Sequence, residues 1–522
     1  MKEKLYTIHF FVIVFLLGSC SKDLGNYSYH DINEVNIAGL EQSYTAVFKS
    51  DTIRISPTLV FSEDTDTPDR YTYEWKLVKS TPTTDLDWKG TIISTERDLD
   101  YLVSAVPGSY SIYYKVKDKE TSVTWTTRTV LNVTTQTATG FLLIGEDEAG
   151  YAEAEMISYV VGDTVIIREL LHDNGVPRFK GATSIFHTGN GNSSVNAQAK
   201  VWISGTDAGY YVDKNSFQTN ALSVFKNMMY TSYSLADKIF PVDYAPKTAT
   251  YSGTIVGSQR VMLTNTGDLF TAGIISGDIY SNPINRLTTV SGAPLLKLAP
   301  YILHGGSSAL SGYIVFDKDN NRFLRTTAAS SANLTVLADG PNDAFPWIQP
   351  AGRTMLYAEN TKNTDGGSSS GNSFALMKDQ NSLFYIYKFY AYGTPSKRNG
   401  YTVNRQFSDE LNKSKLFAFA STRTAMYFAI GSKLYAYDYN TGSERIVMIK
   451  DYGDEITMLH SDIQASTTSL DLYVATYNST SKGRLHKMIL QNNTNTIEMK
   501  EDETVVWTGL SKIKNMSWRN AS

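Results

Sequence analysis

The sequence has few of the residues that build disulfides and metal centres. Its 522 residues include one cysteine, Cys20, and seven histidines. One cysteine excludes an internal disulfide, and no two histidines stand at the i, i+4 spacing of a zinc-binding helix. Lys and Arg number 48 against 52 Asp and Glu, so no basic excess points to nucleic acid. We therefore predict no metal and no nucleic-acid partner.

Catalytic motifs are also missing. The chain has no G-x-S-x-G elbow, P-loop or dinucleotide-binding glycine fingerprint, so no cofactor is predicted. Residues 317–321 (DKDNN) place oxygen ligands as a calcium loop does, but Arg322 and Ala328 stand where that loop needs a glycine and a carboxylate. We interpret this segment as a hairpin turn. The lack of motifs favours a binding protein over an enzyme.

The long apolar run of the chain lies at its N-terminus. Lys2 and Lys4 precede an apolar run over residues 10–17, which is too short to span a bilayer but has the length of a signal-peptide core. The residues that follow, LGSC at 17–20, resemble the lipobox of bacterial lipoproteins. In that motif the cysteine is acylated and becomes the first residue of the mature protein.

These features predict a lipoprotein with a signal peptide over residues 1–19, lipidation of Cys20 and a tether over residues 20–34. Two or three acyl chains, palmitate among them, hold a protein on a membrane stably. Ser21-Lys22-Asp23 resembles part of the export signal of Bacteroidota surface lipoproteins. We therefore expect a lipid-anchored outer-membrane protein that faces the cell exterior, with the membrane as a partner through its lipid. The alternative location is the inner leaflet of the outer membrane.

Residues 35–135 read as a series of short strands. The run from Tyr71 to Leu77 alternates in period two and places Trp75 on one face. A Pro-Gly-Ser turn at 107–109 precedes another strand over 110–118. About seven short strands with one early tryptophan are typical of an immunoglobulin-like sandwich. Because the cysteine pair of antibody domains is absent, we expect Trp75 to pack against aliphatic side chains only.

Residues 140–522 carry a repeating pattern of apolar runs, each followed by a turn and a second run. Seven such runs open at intervals of about 55 residues, a spacing typical of a β-propeller with about seven blades. They begin at residues 141, 200, 260, 301, 354, 416 and 471. The run from Trp507 to Trp518 is expected to pair near Phe141 and close the ring. Two packed sandwiches are the alternative.

Aromatic residues near predicted turns are the candidate ligand-binding residues. Exposed Trp and Tyr rings stack on sugars or anchor protein partners. The candidates are Trp88, Tyr210, Tyr211, Trp347 and Tyr392. The alternative for each is that it fills the space between blades.

The segment LGNYSYHDINEVNI at 24–37 and the residues from Tyr71 to Trp75 resemble the PKD-like lipoproteins of Bacteroidota. The resemblance implies an Ig/PKD-like spacer domain followed by a propeller, in company with a SusC/SusD-like uptake system. The expected function is binding of a glycan or a protein-derived nutrient at the cell surface. Two alternatives stay open: a propeller enzyme of the glycoside hydrolase or lyase type, and a purely structural or protein-interaction subunit.

Overall fold

Strands make up nearly all the regular structure of the chain. The computed structural model describes residues 33–63, 69–82, 84–160, 164–188, 199–220, 222–247, 259–273, 278–305, 310–465, 471–491, 493 and 496–519. The chain divides into two compact units, Met1–Thr134 and Thr135–Ser522. Within the described residues, no helix is long and apolar enough to cross a membrane.

The first unit is a β-sandwich. Its strands are β1 (Val35–Ala38), β2 (Ser43–Val47), β3 (Thr52–Ile55), β4 (Thr58–Phe61), β5 (Tyr71–Lys79), β6 (Thr91–Ser94), β7 (Leu99–Leu102), β8 (Gly108–Asp118) and β9 (Thr124–Thr134), with helix α1 (Asp85–Lys89) between β5 and β6. A five-stranded sheet of order β2-β9-β8-β5-β6 shares one hydrophobic core with two small sheets, β1-β4 and β3-β7. The predicted sandwich is confirmed.

Trp75 lies at the centre of the sandwich core and is fully buried. Its ring stacks on that of Tyr114 with 4.2 Å between ring centroids, and its indole N–H donates to the Glu96 carbonyl at 3.0 Å. The expectation of purely aliphatic neighbours is wrong. Trp75 and Tyr114 are direct cross-strand partners of β5 and β8, so their side chains emerge on the same face and meet.

The described residues of the second unit form seven small antiparallel sheets. Its strands are β10 (Gly140–Glu146), β11 (Ala152–Ser158), β12 (Val165–Ile167), β13 (Ser184–His187), β14 (Val201–Ser204), β15 (Gly209–Val212), β16 (Pro241–Ala245), β17 (Gln259–Thr264), β18 (Leu269–Gly273), β19 (Ile314–Asp317), β20 (Arg322–Arg325), β21 (Thr335–Val336), β22 (Thr354–Asn360), β23 (Ser373–Lys378), β24 (Phe384–Tyr390), β25 (Ser396–Thr402), β26 (Leu416–Phe419), β27 (Ala425–Ile430), β28 (Lys433–Asp438), β29 (Arg445–Asp451), β30 (Glu455–Ser461), β31 (Leu472–Asn478), β32 (Lys482–Leu490), β33 (Met499–Leu510) and β34 (Lys512–Arg519), with helix α2 (Arg405–Leu411) after β25.

Each sheet is one blade. Blade 1 combines the last strand with the first three in the order β12-β11-β10-β34; blades 2 to 7 are β13–β15, β16–β18, β19–β21, β22–β25, β26–β29 and β30–β33. In blade 4 the segment 298–303 takes the place of an innermost strand beside β19. It pairs with β19 through isolated bridges between Leu298 and Asp317 and between Leu303 and Ile314. The predicted hairpin at 317–321 is confirmed, because it joins β19 to β20.

Seven hydrophobic clusters fill the spaces between consecutive blades, including the space between blades 7 and 1. Successive residues of a strand contribute to opposite clusters: Ile185 packs towards blade 1, whereas Phe186 packs towards blade 3. This alternation follows from the two faces of a strand, both of which a propeller buries. The unit is a seven-bladed β-propeller, as the repeat predicts, and the predicted closure beside Phe141 is confirmed.

Candidate ligand site at the propeller axis

Polar side chains from four blades meet where the innermost strands of those blades end. This axial cluster comprises Asp243, Lys247, Tyr301, His304, Tyr357, Glu359 and His460. Blades 3, 4, 5 and 7 supply them. A direct contact locates the cluster at the centre of the ring: the Gln464 side chain of blade 7 donates to the Lys247 carbonyl of blade 3 at 2.9 Å, although these blades are not neighbours.

Lys247 is the electrostatic centre of the cluster. Its Nζ lies 2.7 Å from Asp243 Oδ1, and the lysine side chain keeps 32% of its surface exposed. Burial, and to a lesser extent the Lys247 charge, together lower the pKa of His460 to about 4. The same two causes lower the pKa of His304 to about 3. Both imidazoles are therefore neutral at physiological pH.

Glu359 is held by groups of three blades. Its Oε2 accepts the backbone N–H of Phe419 at 2.7 Å, and the hydroxyls of Tyr357 and Ser461 also bind the carboxyl group. Solvent reaches part of the side chain, but the protein surrounds it closely, and burial raises the pKa of Glu359 to about 7. At neutral pH this carboxyl group is divided between its protonated and ionised forms.

His304 is fully buried, and neither ring nitrogen has a hydrogen-bond partner on another residue of the described chain. Its backbone is well satisfied, because the N–H groups of His304 and Gly305 both donate to Asn360 Oδ1, at 2.9 and 3.0 Å. Buried polar groups without a protein partner are rare and mark sites where water or a ligand binds.

Two tyrosines bring aromatic surface to the cluster. The rings of Tyr301 and Tyr357 are 5.8 Å apart in an edge-to-face arrangement, and both side chains are half-buried. Burial raises the pKa of Tyr301 to about 12, with the charges of Asp243 and Glu359 acting in the same direction. Tyr301 therefore lies within electrostatic reach of both carboxyl groups and keeps its proton.

Part of the cluster also joins the blades together. Asp243 Oδ2 accepts the backbone N–H of Ile302 at 3.0 Å, which links blade 3 to blade 4. Asn360 links blade 5 to blade 4 in the same way, and Glu359 links blade 5 to blade 6. These acceptors are committed to the ring. Lys247, the two histidines and the Tyr301 hydroxyl are the groups that remain for a ligand.

The ligand-binding residues predicted from sequence do not form one site. Trp88 is 70% exposed on α1, which Thr84 and Asp87 cap reciprocally. Tyr210 packs beside Phe179, and Tyr211 meets Trp202 edge to face at 5.3 Å; both tyrosines are half-buried on β15.

Trp347 and Tyr392 lie in other parts of the second unit. The prediction of an exposed Trp347 is wrong: the ring is 4% exposed and packs edge to face with Phe345 and Phe389 in the core between blades 4 and 5. Tyr392 is half-buried, 6.4 Å from Tyr390. The lipidation site Cys20 lies outside the described residues.

The axial residues were missed in the sequence because four separate repeats supply them and no repeat carries more than two. The available signal was the end of each innermost strand, where an apolar run gives way to a titratable residue, as at His304, Glu359 and His460. No group of histidine and carboxylate side chains within the described residues could hold a metal ion.

One part of the chain matches a known protein family. Residues 20–182 match the PKD-like family, a range that covers most of the first unit and the beginning of the second. No curated protein matches the chain.

Two solved structures from Bacteroides are similar along most of the chain. A quinonprotein alcohol dehydrogenase-like protein of Bacteroides thetaiotaomicron is 14% identical, with a TM-score of 0.36 over 91% of this chain and 96% of that one. A DUF4784 family protein of Bacteroides caccae is 8% identical, with a TM-score of 0.29 over 93% and 98%. Similarity at this level does not transfer a function. The chain is a β-rich protein whose residues 20–182 are similar to the PKD-like family.

Proposed function

We propose that the protein is a surface-exposed outer-membrane lipoprotein that binds a glycan or a protein-derived nutrient as an accessory to a SusC/SusD-like uptake system. The lipid on Cys20 anchors it, the sandwich is the spacer, and the propeller binds the ligand. The lipobox-like residues at 17–20 support the anchor. The resemblance to PKD-like lipoproteins supports the association with an uptake system.

The observation that carries the binding role is the axial cluster. Neutral imidazoles, tyrosine hydroxyls and a half-protonated carboxyl group each donate and accept hydrogen bonds, which suits a ligand rich in hydroxyl or amide groups. Lys247, Glu359 and His460 are all reached by solvent. A polar site at the centre of a ring of blades is a common position for a ligand on this architecture.

The test is a binding measurement on the mature chain without its acyl chains. A panel of polysaccharides, glycoproteins and peptides is incubated with the wild type, with Lys247→Met and with Glu359→Gln, and both retention and released products are measured. We expect retention of at least one ligand class and a loss of tenfold or more in Lys247→Met. The matched control is Lys318→Met on the 317–321 hairpin, which leaves the cluster untouched. Retention that is equal in all variants would remove the axis as the binding site.

The anchor is tested separately in cells. Cys20→Ala should move the protein from the membrane to the soluble fraction, and protease added to intact cells should digest the wild type if it faces the exterior. A Cys20→Ala protein that stays in the membrane contradicts lipid anchoring. Protection from protease in intact cells contradicts the surface location but not the anchor.

A hydrolase is the second candidate function, and the different environments of the Glu359 and Asp243 carboxyl groups favour it. Glu359 has a raised pKa suited to a general acid, whereas Asp243 forms an ion pair with Lys247. The charges of both carboxyl groups raise the pKa of Tyr301, so both lie near the same tyrosine. Carboxyl groups whose environments differ in this way perform acid and base roles in glycoside hydrolysis. Release of product that Glu359→Gln abolishes would establish this function; retention without product would exclude it for the ligands in the panel.

A further inference from the structure

A cavity of about 280 Å³ opens in the second unit beside blade 1. The turn between β10 and β11 (residues 147–151) and the connection from β12 to blade 2 (residues 168–183) form its walls. Glu146 at the end of β10 pairs with Lys512 at the start of β34, the innermost strand of blade 1. Because the axial cluster lies where the innermost strands end, the cavity is on the opposite face of the propeller.

One side of the cavity is apolar. The buried side chains of Leu171, Val176 and Phe179 line it, and they belong to the cluster that fills the space between blades 1 and 2. The connection is fixed to β11, because the Ala152 N–H donates to the Phe179 carbonyl at 2.8 Å. An apolar wall on a fixed backbone is a surface on which a hydrocarbon chain packs without a large cost of reorganisation.

The cations of the connection are already engaged. Arg178 Nη2 lies 2.6 Å from Asp147 Oδ2, and the guanidinium carbon lies 4.0 Å from the centre of the Tyr151 ring. Lys180 lies over the same ring at 5.2 Å, and Arg168 donates to two backbone carbonyls of blade 7, at 3.0 and 3.1 Å. Arg178 and Asp147 therefore neutralise each other, and the other two cations pair with no carboxylate of the cavity.

Two further carboxylates line the cavity without a Lys or Arg partner. Glu153 accepts the backbone N–H groups of Ala154 and Leu171 on Oε1, at 2.8 and 2.7 Å, and that of His172 on Oε2 at 3.1 Å. These three bonds leave an acceptor position on Oε2. Burial raises the pKa of Glu153 although the bonds and His172 oppose the shift. Glu169 is exposed, and its side chain bonds to no described residue.

We propose that this cavity binds an ammonium group carried on an aliphatic chain, as in the side chain of lysine. The three N–H donors of the ammonium group bond to the carboxylates of Glu153 and Glu169, and the aliphatic chain packs on Leu171, Val176 and Phe179. A volume of about 280 Å³ is at the lower limit of ligand pockets, so the cavity accepts one side chain rather than a length of polymer. The ammonium group belongs either to a free amine or to a residue of a peptide, and the same side chains bind it in both cases.

The experiment measures binding of small probes to the mature chain without its acyl chains. Calorimetric titration at low ionic strength compares cadaverine, acetyl-lysine methylamide and its uncharged counterpart, acetyl-norleucine methylamide. We expect at least one amine to bind about tenfold more tightly than the norleucine probe, and added salt to weaken that binding because it screens a partly exposed ion pair. Binding of cadaverine indicates a site for free amines, and binding of the lysine probe alone indicates a site for a peptide side chain.

Two variants connect the binding to the cavity. Glu169→Gln should weaken amine binding about fivefold or more without affecting folding, because this carboxylate is exposed and holds no other residue. Glu153→Gln should weaken it as well, and Glu503→Gln, at an exposed position of β33, should leave it unchanged. If Glu153→Gln does not fold, the outcome for Glu169→Gln decides.

Three results would overturn the proposal: neither amine binds, the norleucine probe binds as tightly as the amines, or Glu169→Gln binds them as the wild type does. Each result is independent of ligand binding at the axis, because Lys247→Met changes a residue on the other face of the propeller. Amine binding that Lys247→Met leaves intact therefore places the amine outside the axial cluster.

Discussion

Phe141, in the first strand of the propeller, and Trp518, in its last, are direct cross-strand partners. Their ring centroids are 4.9 Å apart, with the ring planes at 70°. The pair lies where the two ends of a chain segment of nearly 400 residues meet, so one cross-strand contact takes part in closing the whole ring. Tyr473 of blade 7 packs on the other side of Phe141, with centroids 4.8 Å apart.

Trp518→Ala should destabilise the propeller by about 2–4 kcal/mol, because it removes a large aromatic side chain from the contact that joins β34 to β10. The measurement is the free energy of unfolding of the second unit, from calorimetry or denaturant unfolding. Tyr230→Ala is the control in the same unit, since that tyrosine is 85% exposed and its loss should change stability by about 0.5 kcal/mol or less. Equal effects of the two variants would contradict the closure role.

Asn360→Ala should cost about 2–4 kcal/mol despite the small change in volume. Asn360 accepts two backbone N–H groups of blade 4 and donates to the Ile302 carbonyl at 2.8 Å. The substitution leaves the His304 N–H and the Ile302 carbonyl buried without this partner, whereas the Gly305 N–H keeps the Ser373 hydroxyl at 3.2 Å. Denaturant unfolding is the measurement. Asn440→Ala, at an exposed turn, is the control and should be nearly neutral. A neutral Asn360→Ala would show that water replaces the amide at no loss of stability.

Glu359→Gln should change the pH dependence of stability in a defined window. The carboxyl group ionises near 4.5 in the unfolded chain and near 7 in the folded protein. Between these values the folded protein holds a proton that the unfolded chain has released, so the wild-type free energy of unfolding falls as pH rises, by up to about 1.4 kcal/mol per pH unit.

The variant lacks this titration. Its stability relative to the wild type should therefore rise between pH 4.5 and 7 and stay constant outside that window. Chemical unfolding at several pH values measures the difference, and Glu34→Gln, on the exposed surface of the first unit, is the control. A difference that does not vary with pH would show that Glu359 ionises normally.

His304→Asn should make the protein less sensitive to acid. The pKa of His304 is lowered from 6.5 to about 3, so between these values the unfolded chain binds a proton that the folded protein does not. The wild-type free energy of unfolding therefore falls as pH decreases from 6.5 towards 3, and the variant should lose less stability over that range.

The difference in acid stability between the wild type and His304→Asn reports on His304 alone. His460 and His486 also have lowered pKa values and titrate in both proteins. His172→Asn, at an exposed position, is the control and should follow the wild type through acid unfolding. An acid transition of His304→Asn that coincides with the wild type would mean that the imidazole is protonated in the folded state.

The repeat in the sequence predicts the number of blades but not the position of each strand within its blade. The apolar runs that begin at 354 and 416 are innermost strands, β22 and β26, whereas those at 141, 200 and 260 are second strands. The reason is that a propeller buries both faces of its first two strands, so both read as continuous apolar runs. Only the hydrogen-bonded register distinguishes them.

The burial of individual aromatic residues is a second property that the sequence does not predict. Trp88 and Trp347 have similar sequence surroundings of aspartates near a turn, yet one is 70% exposed and the other 4%. Segment 343–347 packs against blade 5, where Phe345 stacks on Tyr387 with centroids 4.3 Å apart. Propensity and pattern cannot anticipate a long-range contact of this kind.

The sequence by itself determined the all-β class, the early sandwich with its buried tryptophan and the seven-fold repeat, because strand alternation, turn residues and period are local properties. Tertiary structure alone decided which polar residues meet at the axis. Lys247 and Gln464, which are in contact there, are 217 positions apart along the chain. Ring closure brings such residues together, and no local sequence pattern predicts contacts between residues so far apart in the chain.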